Sequence, residues 1–391
     1  MSQPPRLRIA YICSEYPPVP HGGIGTFTQV IARAMVRRGH DVRVIGSYGG
    51  NGSHRAPIVD EGVQVERLPQ ARGRIGWVAG RFRIYRRVAR LALAGRIDIV
   101  EMPDWGGAGA WWPPLPVPLI VRLHGSSTYF VAESGRTPHR FTLRVENASL
   151  QRATRMCAVS EYTARSTQHL FHLPGEVPTV LYNPVDVPPE PLPFNRRDRW
   201  RVVYAGTLTP KKGIERLIAA WPAIHAASPS ATLDIYGKDG VTTDGSPMQA
   251  SLERRIPPEL RSTVRFHGHV LRASVLAAFN SARVAVFPSM TESFGLTAAE
   301  AMAAGCPTVF TRRSSGPEVL RDGEEGRLVD PGDERSIAGA VIELLTDDAA
   351  ARRCSESGRR GVTERFEAAK VVARNEEFYA QCVDDFRRGI S

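Results

Sequence analysis

Residues 288–307 read PSMTESFGLTAAEAMAAGCP. Just before them, RVAVF at 283–287 is a short apolar run of the kind that makes a buried parallel strand. After them, 297–304 is rich in good helix formers, and Gly305 is placed to take a left-handed cap. Strand, loop and helix in that order aim the unpaired N–H groups of the first helical turn, around Phe294, Gly295 and Leu296, at whatever lies over the strand end. The helix dipole favours an anion such as a phosphate there. Gly295 lets a ligand approach the backbone closely. Glu292 and Glu300 frame the turn; beside a phosphate they serve as acceptors, and sugar hydroxyls are the natural donors. Their spacing alone more readily fits a solvated Glu292 and a Glu300 that supports the early helix turns.

The chain has 391 residues, which exceeds one ordinary core, so two domains of roughly 180 residues are expected. Apolar content of 42% and charged content of 23% are those of a soluble globular protein. No run is apolar enough to span a membrane and the N-terminus lacks a signal-peptide core, so a cytosolic chain is expected, at most peripheral on a membrane. Cys13, Cys157, Cys306, Cys354 and Cys382 are widely spaced, which predicts reduced, mostly buried thiols. The net charge of +11 is uneven: residues 1–185 hold 23 Arg, no Lys and 12 acids, whereas 186–391 hold 28 basic and 28 acidic residues. An anionic surface or acceptor facing the first half is the simplest inference, with nucleic acid as rival.

Residues 7–13 read as a first buried strand running into a loop with Gly22, Gly23 and Gly25, then a helix over 26–38 and a second strand over 41–47. This predicts a βαβ unit with a right-handed crossover. The three glycines would let the backbone approach a ligand, or simply make a turn. No Gly-x-Gly-x-x-Gly follows the strand, which argues against a dinucleotide enzyme. Residues 67–97 carry Arg67, Arg72, Arg74, Arg81, Arg83, Arg86, Arg87, Arg90 and Arg96 with no acid, interleaved with aromatic and aliphatic residues. A helix over 77–94 would be amphipathic. It reads as an ordinary surface helix, as a face for anionic lipid, or less readily as a nucleic-acid contact. Further strands are expected over 97–101, 118–124, 157–161 and 180–186, the second delivering His124 to the carboxyl edge of the sheet. Four prolines in 188–193 mark a linker.

The run from Val286 through PSMTESFGLTAAEAMAAGCPTV, continued by SGPE at 315–318 and DGEEGRLVDP at 322–331, resembles the donor-binding signature of the family-four retaining glycosyltransferases, glycosyl transferases group 1. The resemblance implies an α/β protein of the GT-B fold: two Rossmann-like, doubly wound parallel-sheet domains facing across a cleft. It implies an N-terminal acceptor-side domain over 1–186, a nucleotide-sugar-binding domain over 187–363, and a helical segment over 364–388 within a C-terminal 364–391 that returns to the first domain. In the family the first glutamate and adjacent amides contact donor sugar and diphosphate, and the second glutamate holds the ribose. Those roles fall on Glu292, Phe294, Gly295, Leu296 and Glu300. A histidine in this His-Gly context contacts the donor sugar, which points to His124, and Gly22, Gly23 and Gly25 match the loop against donor phosphate and acceptor. Asp104, Trp105 and Gly106 would line the acceptor pocket, and 183–186 matches the inter-domain crossing.

After a strand over 201–206, family members carry Gly-Arg-Leu-x-x-x-Lys-Gly, whose arginine and lysine grip the diphosphate. Here Lys212 fills the lysine position and Thr207 the arginine position, so leaving-group stabilisation is expected to weaken unless Lys211 or an arginine from the basic half supplies the missing cation. A helix over 214–227 and strands over 233–237, 264–268 and 308–311 follow, and Gly237, Gly268, His269 and Val270 are candidates around the nucleobase. The expected reaction is transfer of a hexosyl unit from a UDP- or GDP-linked sugar to a hydroxyl of a glycan, lipid-linked or small polyol acceptor. Glu292, His124 and Lys212 are its central residues. No metal or other cofactor is expected, since no Asp-x-Asp occurs. A nucleotide-sugar epimerase of the same architecture, a basic nucleic-acid-binding protein and a silent paralogue with Thr207 as its lesion are the rivals.

Overall fold

A computed structural model describes residues 6–19, 22–49, 58–70 and 73–390, the side chains of Arg74 and Ile75 apart. The chain forms two compact units, Met1–Pro184 with Ala368–Ser391 and Val185–Glu367.

The first unit holds β1 (Arg8–Ile12), α1 (Gly23–Arg37), β2 (Asp41–Tyr48), β3 (Ile58–Asp60), β4 (Val63–Pro69), α2 (Gly73–Leu93), β5 (Ile99–Pro103), β6 (Leu119–Leu123), α3 (Ser127–Glu133), α4 (Arg140–Leu150), β7 (Arg155–Ala158), α5 (Glu161–Phe171) and β8 (Thr179–Val180). Its eight strands run in the order β3-β4-β2-β1-β5-β6-β7-β8, parallel except for the β3–β4 pair. Alternation along β1 sends side chains to both faces. Ile9 and Tyr11 join Phe27, Ile31 and Met35 of α1, while Ala10 and Ile12 join Ile84, Val88 and Leu91 of α2.

The second unit holds β9 (Asp198–Ala205), α6 (Ile214–Ala227), β10 (Thr232–Tyr236), α7 (Met248–Arg255), β11 (Val264–Gly268), α8 (Arg272–Ser281), β12 (Ala282–Phe287), α9 (Leu296–Ala303), β13 (Thr308–Thr311), α10 (Gly316–Val319), β14 (Arg327–Val329), α11 (Glu334–Thr346) and α12 (Asp348–Arg365). Its sheet, β11-β10-β9-β12-β13-β14, is wholly parallel. Val202, Tyr204, Val284 and Val286 pack against Leu217 and Trp221 of α6 and Ile337 and Val341 of α11. Each residue from Ala298 to Ala303 in α9 is buried, which suits a helix in which four of eight residues are alanine.

The last helix, α13 (Ala368–Arg387), belongs to the first unit, where Val372, Tyr379 and Val383 enter the core beside α1. The single helix expected over 364–388 is therefore corrected to two: α12 ends at Arg365, and the Phe366 carbonyl accepts from Val185 N–H (2.8 Å) instead of continuing the helical ladder. All five cysteines are buried free thiols.

Candidate functional site

In the second unit the strand order reverses at β9, which has β10 on one side and β12 on the other. Ligands of open α/β sheets bind over the carboxyl ends of strands at such a switch point. The chain leaving β9 supplies Thr207, Lys211 and Lys212; the chain leaving β12 supplies Glu292 to Gly295. The two are tied together. Met290 N–H donates to the Lys211 carbonyl at 2.8 Å, and Gly213, at φ 69°, lies so near the Pro288 carbonyl that a Cβ would overlap it. Lys212 Nζ lies 2.6 Å from Glu292 Oε1, and Ser289 Oγ donates to the same oxygen at 2.8 Å. Lys212 precedes α6 in a short 3-10 turn, and Glu292 is its partner there.

Gly295 caps α9 at φ 92° and offers no side-chain acceptor to the first turn of the helix. A Cβ there would overlap the Phe310 ring. Phe294 is buried edge-on against Phe366, so of its groups only the backbone is suited to a ligand. One turn into α9, Glu300 meets an arginine that the sequence reading missed: Arg272 Nη2 and Nε lie 2.6 and 2.8 Å from its Oε1. Burial pushes the Glu300 carboxyl up, and Arg272 opposes that shift. Lys211 reaches solvent at the surface, yet the protein packed around it, and then Lys212, push its ammonium down to about 8. Thr207 is exposed. Gly237 approaches Gly206 where a Cβ would overlap its carbonyl, so glycine is demanded there by packing. Gly268, His269 and Val270 form the turn from β11 to α8, with His269 exposed.

In the first unit the order reverses at β1, between β2 and β5. The loop expected to carry three glycines is corrected: α1 begins at Gly23, with Gly22 as its cap and Gly25 inside the first turn. Glu15 causes the early start, because its Oε1 accepts Gly25 N–H at 2.7 Å. Asp104 follows β5 and His124 follows β6; His124 N–H donates to Asp104 Oδ1 at 3.0 Å. His124 is 8% exposed and its ring stands edge-on to Phe27 at 4.8 Å, with the Arg122 guanidinium over the same Phe27 at 4.8 Å. Burial, then Arg122, holds the imidazole well below its ordinary pKa, so it is neutral. It borders a cavity of about 10 Å³, room for one water, shared with Tyr11, Thr28 and Glu101.

Asp104 is buried, its Oδ2 has no hydrogen-bond partner among the described residues, and burial with help from Glu146 pushes its carboxyl up to about 8. Glu146 itself accepts from Gly106, Ser127 and Thr128 N–H at 3.0–3.1 Å, stabilising the start of α3. Trp105 is exposed. Beneath His124, Arg122 is wholly buried, bridged to Glu101 at 2.8 and 2.9 Å and hydrogen-bonded to Asn375 of α13, while Tyr379 donates to Glu101 at 2.7 Å. Neither this network nor Glu146 leaves a local mark in the sequence.

The arginine-rich segment forms the end of β4 and the whole of α2, a helix that starts at Gly73 and not at Trp77. Several of its guanidinium groups face protein. Arg67 is buried over Tyr48, Arg81 bonds the Gly106 and Gly107 carbonyls, Arg83 bonds Pro69 and Arg87 pairs with Glu66. Arg86, Arg90 and Arg96 are exposed, and Arg72 and the Arg74 side chain lie outside the described residues. Among the described residues no helix is long and apolar enough to cross a membrane, and no group of three His, Cys, Asp or Glu side chains is arranged to hold a metal ion.

Comparison with known proteins places the whole chain. A family profile for glycosyl transferases group 1 matches residues 199–347, and one for glycosyltransferase family 4 matches residues 21–188. The glycogen synthase of Mycobacterium tuberculosis is 31% identical over 402 aligned positions, covering 95% of this chain and 94% of that protein. Among solved structures, a sucrose-phosphate synthase from Thermosynechococcus elongatus has a TM-score of 0.76 at 21% identity, over 96% of this chain and 99% of that one. Anabaena HepE, in complex with UDP-glucose, has a TM-score of 0.72 at 19% identity, over 96% of this chain and 100% of that one. With two parallel-sheet α/β units of GT-B type and a relative of this similarity along nearly its whole length, the chain belongs to the group 1, family 4 glycosyltransferases.

Proposed function

We propose that this glycosyltransferase moves a hexosyl unit, with retention, from a nucleoside-diphosphate sugar to a hydroxyl of a glycan, lipid-linked or small polyol acceptor. The observation that carries the donor half of the reading is the cluster at the β9/β12 switch point: Lys212 against Glu292, with the uncapped first turn of α9 beside them. Glycosyl transfer from such a donor separates charge. The leaving diphosphate gains negative charge while the sugar takes on oxocarbenium character, and preorganised positive groups at the departing oxygens lower the barrier. Lys212 and the α9 amides are placed to supply them, and Lys211 is the nearby cation suited to replace the arginine that Thr207 displaces.

Glu292 accepts from donor-sugar hydroxyls and Glu300 from the ribose. A neutral imidazole at His124 suits a hydrogen bond to a sugar hydroxyl in either direction, without adding a charge. We assign no metal to the reaction, because ammonium groups and helix amides provide the positive potential; full transfer in excess EDTA is the expected outcome. UDP is the first nucleotide to test, since the fold neighbour HepE is held with UDP-glucose. Contact with an anionic membrane through the exposed arginines of α2 and the turn after it is a separate proposal.

The deciding experiment is a panel of UDP-, GDP- and ADP-sugars scored for saturable thermal stabilisation, followed by product analysis with the donor that binds. The expected result is stabilisation by one nucleotide class, lost in Lys212→Met. Stabilisation by none of them would overturn the reading.

A further inference from the structure

Arg272, the first residue of α8, faces two carboxylates. Its Nε and Nη2 both converge on Glu300 Oε1, at 2.8 and 2.6 Å, and its Nη1 lies 3.3 Å from Asp186 Oδ2. A guanidinium often takes a carboxylate two-on-two, one N–H to each oxygen. Here the Nε hydrogen bond and the Nη2 contact both fall on Oε1, and among the described residues nothing donates to Oε2, which leaves it to accept from other donors. Asp186 holds the far side of the guanidinium and limits its swing. Glu300 is only 7% exposed, so an unpaired charge there would carry a heavy desolvation penalty. Arg272 is the cation beside it, and burial alone drives that carboxyl toward its neutral form.

We propose that Arg272 is a positioning residue for nucleoside recognition: it keeps Glu300 an anionic acceptor and turns Oε2 to the ribose diol, without itself touching the nucleotide. This rests on the reading of Glu300 as the ribose contact. The consequence is specific. Discrimination between a ribonucleotide and one lacking its hydroxyls depends on Arg272, whereas binding of the diphosphate does not.

The test uses the full chain and calorimetric titration of UDP, GDP and ADP, then of the 2′,3′-dideoxy counterpart of whichever binds. Wild type is expected to prefer the ribonucleotide by about tenfold or more, the scale of a hydrogen bond to a charged group. In Arg272→Met the preference shrinks to about threefold or less, because the ribonucleotide weakens while the dideoxy analogue is unchanged. Arg272→Lys, which keeps the charge but cannot reach both carboxylates, is intermediate, and it serves as the test if the methionine variant does not fold. An unaltered preference in both variants overturns the proposal. So does an equal loss for ribo- and dideoxynucleotide, which would make Arg272 a direct phosphate or base contact. If no nucleoside diphosphate binds wild type, or if Glu300→Gln leaves the ribose preference intact, the parent reading of Glu300 fails, and this inference fails with it.

Discussion

Glu292→Gln separates the two jobs proposed for one side chain. Before a donor arrives, Lys212 Nζ is 2.6 Å from Glu292 Oε1, so a diphosphate must compete with that carboxylate for the ammonium. The lysine side chain is 29% exposed and the glutamate 10%. The pair is thus neither a solvated surface bridge, worth about 0–1 kcal/mol, nor a sealed one whose broken remnant costs about 3–5 kcal/mol. With the lysine reaching water, the lower range applies. About 1 kcal/mol of competition corresponds to about fivefold in affinity. Glutamine keeps the shape and can still accept from Ser289, so the variant should bind UDP, or whichever nucleoside diphosphate the panel selects, about fivefold more tightly, with the gain largest at low salt.

Turnover should move the other way. Replacing a carboxylate that accepts from sugar hydroxyls by an amide removes a charge-assisted bond of about 1.5–3 kcal/mol, or about 10- to 100-fold in kcat/KM for the nucleotide sugar. Calorimetry with the nucleoside diphosphate and initial transfer rates measure the two sides separately. Tenfold weaker diphosphate binding in the variant would show that Glu292 holds Lys212 in place and does not compete for it. Transfer within twofold of wild type would remove Glu292 from the sugar site.

Gly295→Ala forces a side chain into the left-handed region, about 1–2 kcal/mol, and onto the buried Phe310 ring, about 1–3 kcal/mol more; a lowered melting temperature and lost nucleotide binding are the expected result. Because the Lys211 ammonium sits at about 8, it is charged below that pH and neutral above, so diphosphate affinity should fall between pH 7 and 9, and titrations of Lys211→Met should show a flatter profile. Asp104, raised to about 8, keeps in the folded chain a proton that the unfolded chain has released above about pH 4, so its contribution lowers stability as pH rises from 4 through 8. Asp104→Asn keeps an acceptor for His124 N–H and removes that slope; its melting temperature should exceed that of wild type at pH 8. Liposomes with anionic lipid should retain the protein at low salt and release it at high salt, and Gln at 86, 90 and 96 should abolish retention; no retention at either salt would end the membrane proposal.

What could be read from the sequence was what local chemistry controls. The strand expected over 283–287 is Ala282–Phe287, and the helix expected over 297–304 is Leu296–Ala303, because a short apolar run and a stretch of good helix formers flanked by glycines each favour one conformation. The helix over 214–227 is found at Ile214–Ala227. The β3–β4 hairpin was missed, since β3 has only three residues and two of them are exposed at the sheet edge. The start of α1 was misplaced because the group that caps it, Glu15, comes from the preceding loop and not from a cap position. Side-chain partners were the least legible. Lys212 and Glu292 are 80 residues apart, Arg272 and Glu300 28, and Arg122 and Asn375 253. No periodicity encodes which guanidinium turns inward, so an amphipathic α2 was foreseen while the burial of Arg67 and the turn of Arg81 toward backbone carbonyls were not.

Charge placement joins these results. The first unit carries 27 basic and 16 acidic residues and the second carries 24 of each, so the unit proposed to grip an anionic diphosphate is neutral overall. Its hold must come from position: two consecutive lysines on one short turn, a helix start left uncapped, and acids each committed to a named cation. Such an arrangement acts within a Debye length and draws little on the field of the whole domain. The excess of the first unit obeys the opposite logic. There the groups nearest the sheet edge, His124 and Asp104, are both driven neutral by burial, while arginines at 86, 90, 96, 136, 140 and 144 stay exposed. A field spread over a surface steers a charged partner without choosing its atoms. On the proposed reading, donor recognition and acceptor encounter therefore rest on different electrostatics, one local and one diffuse, and the salt sensitivity expected of liposome binding belongs to the second.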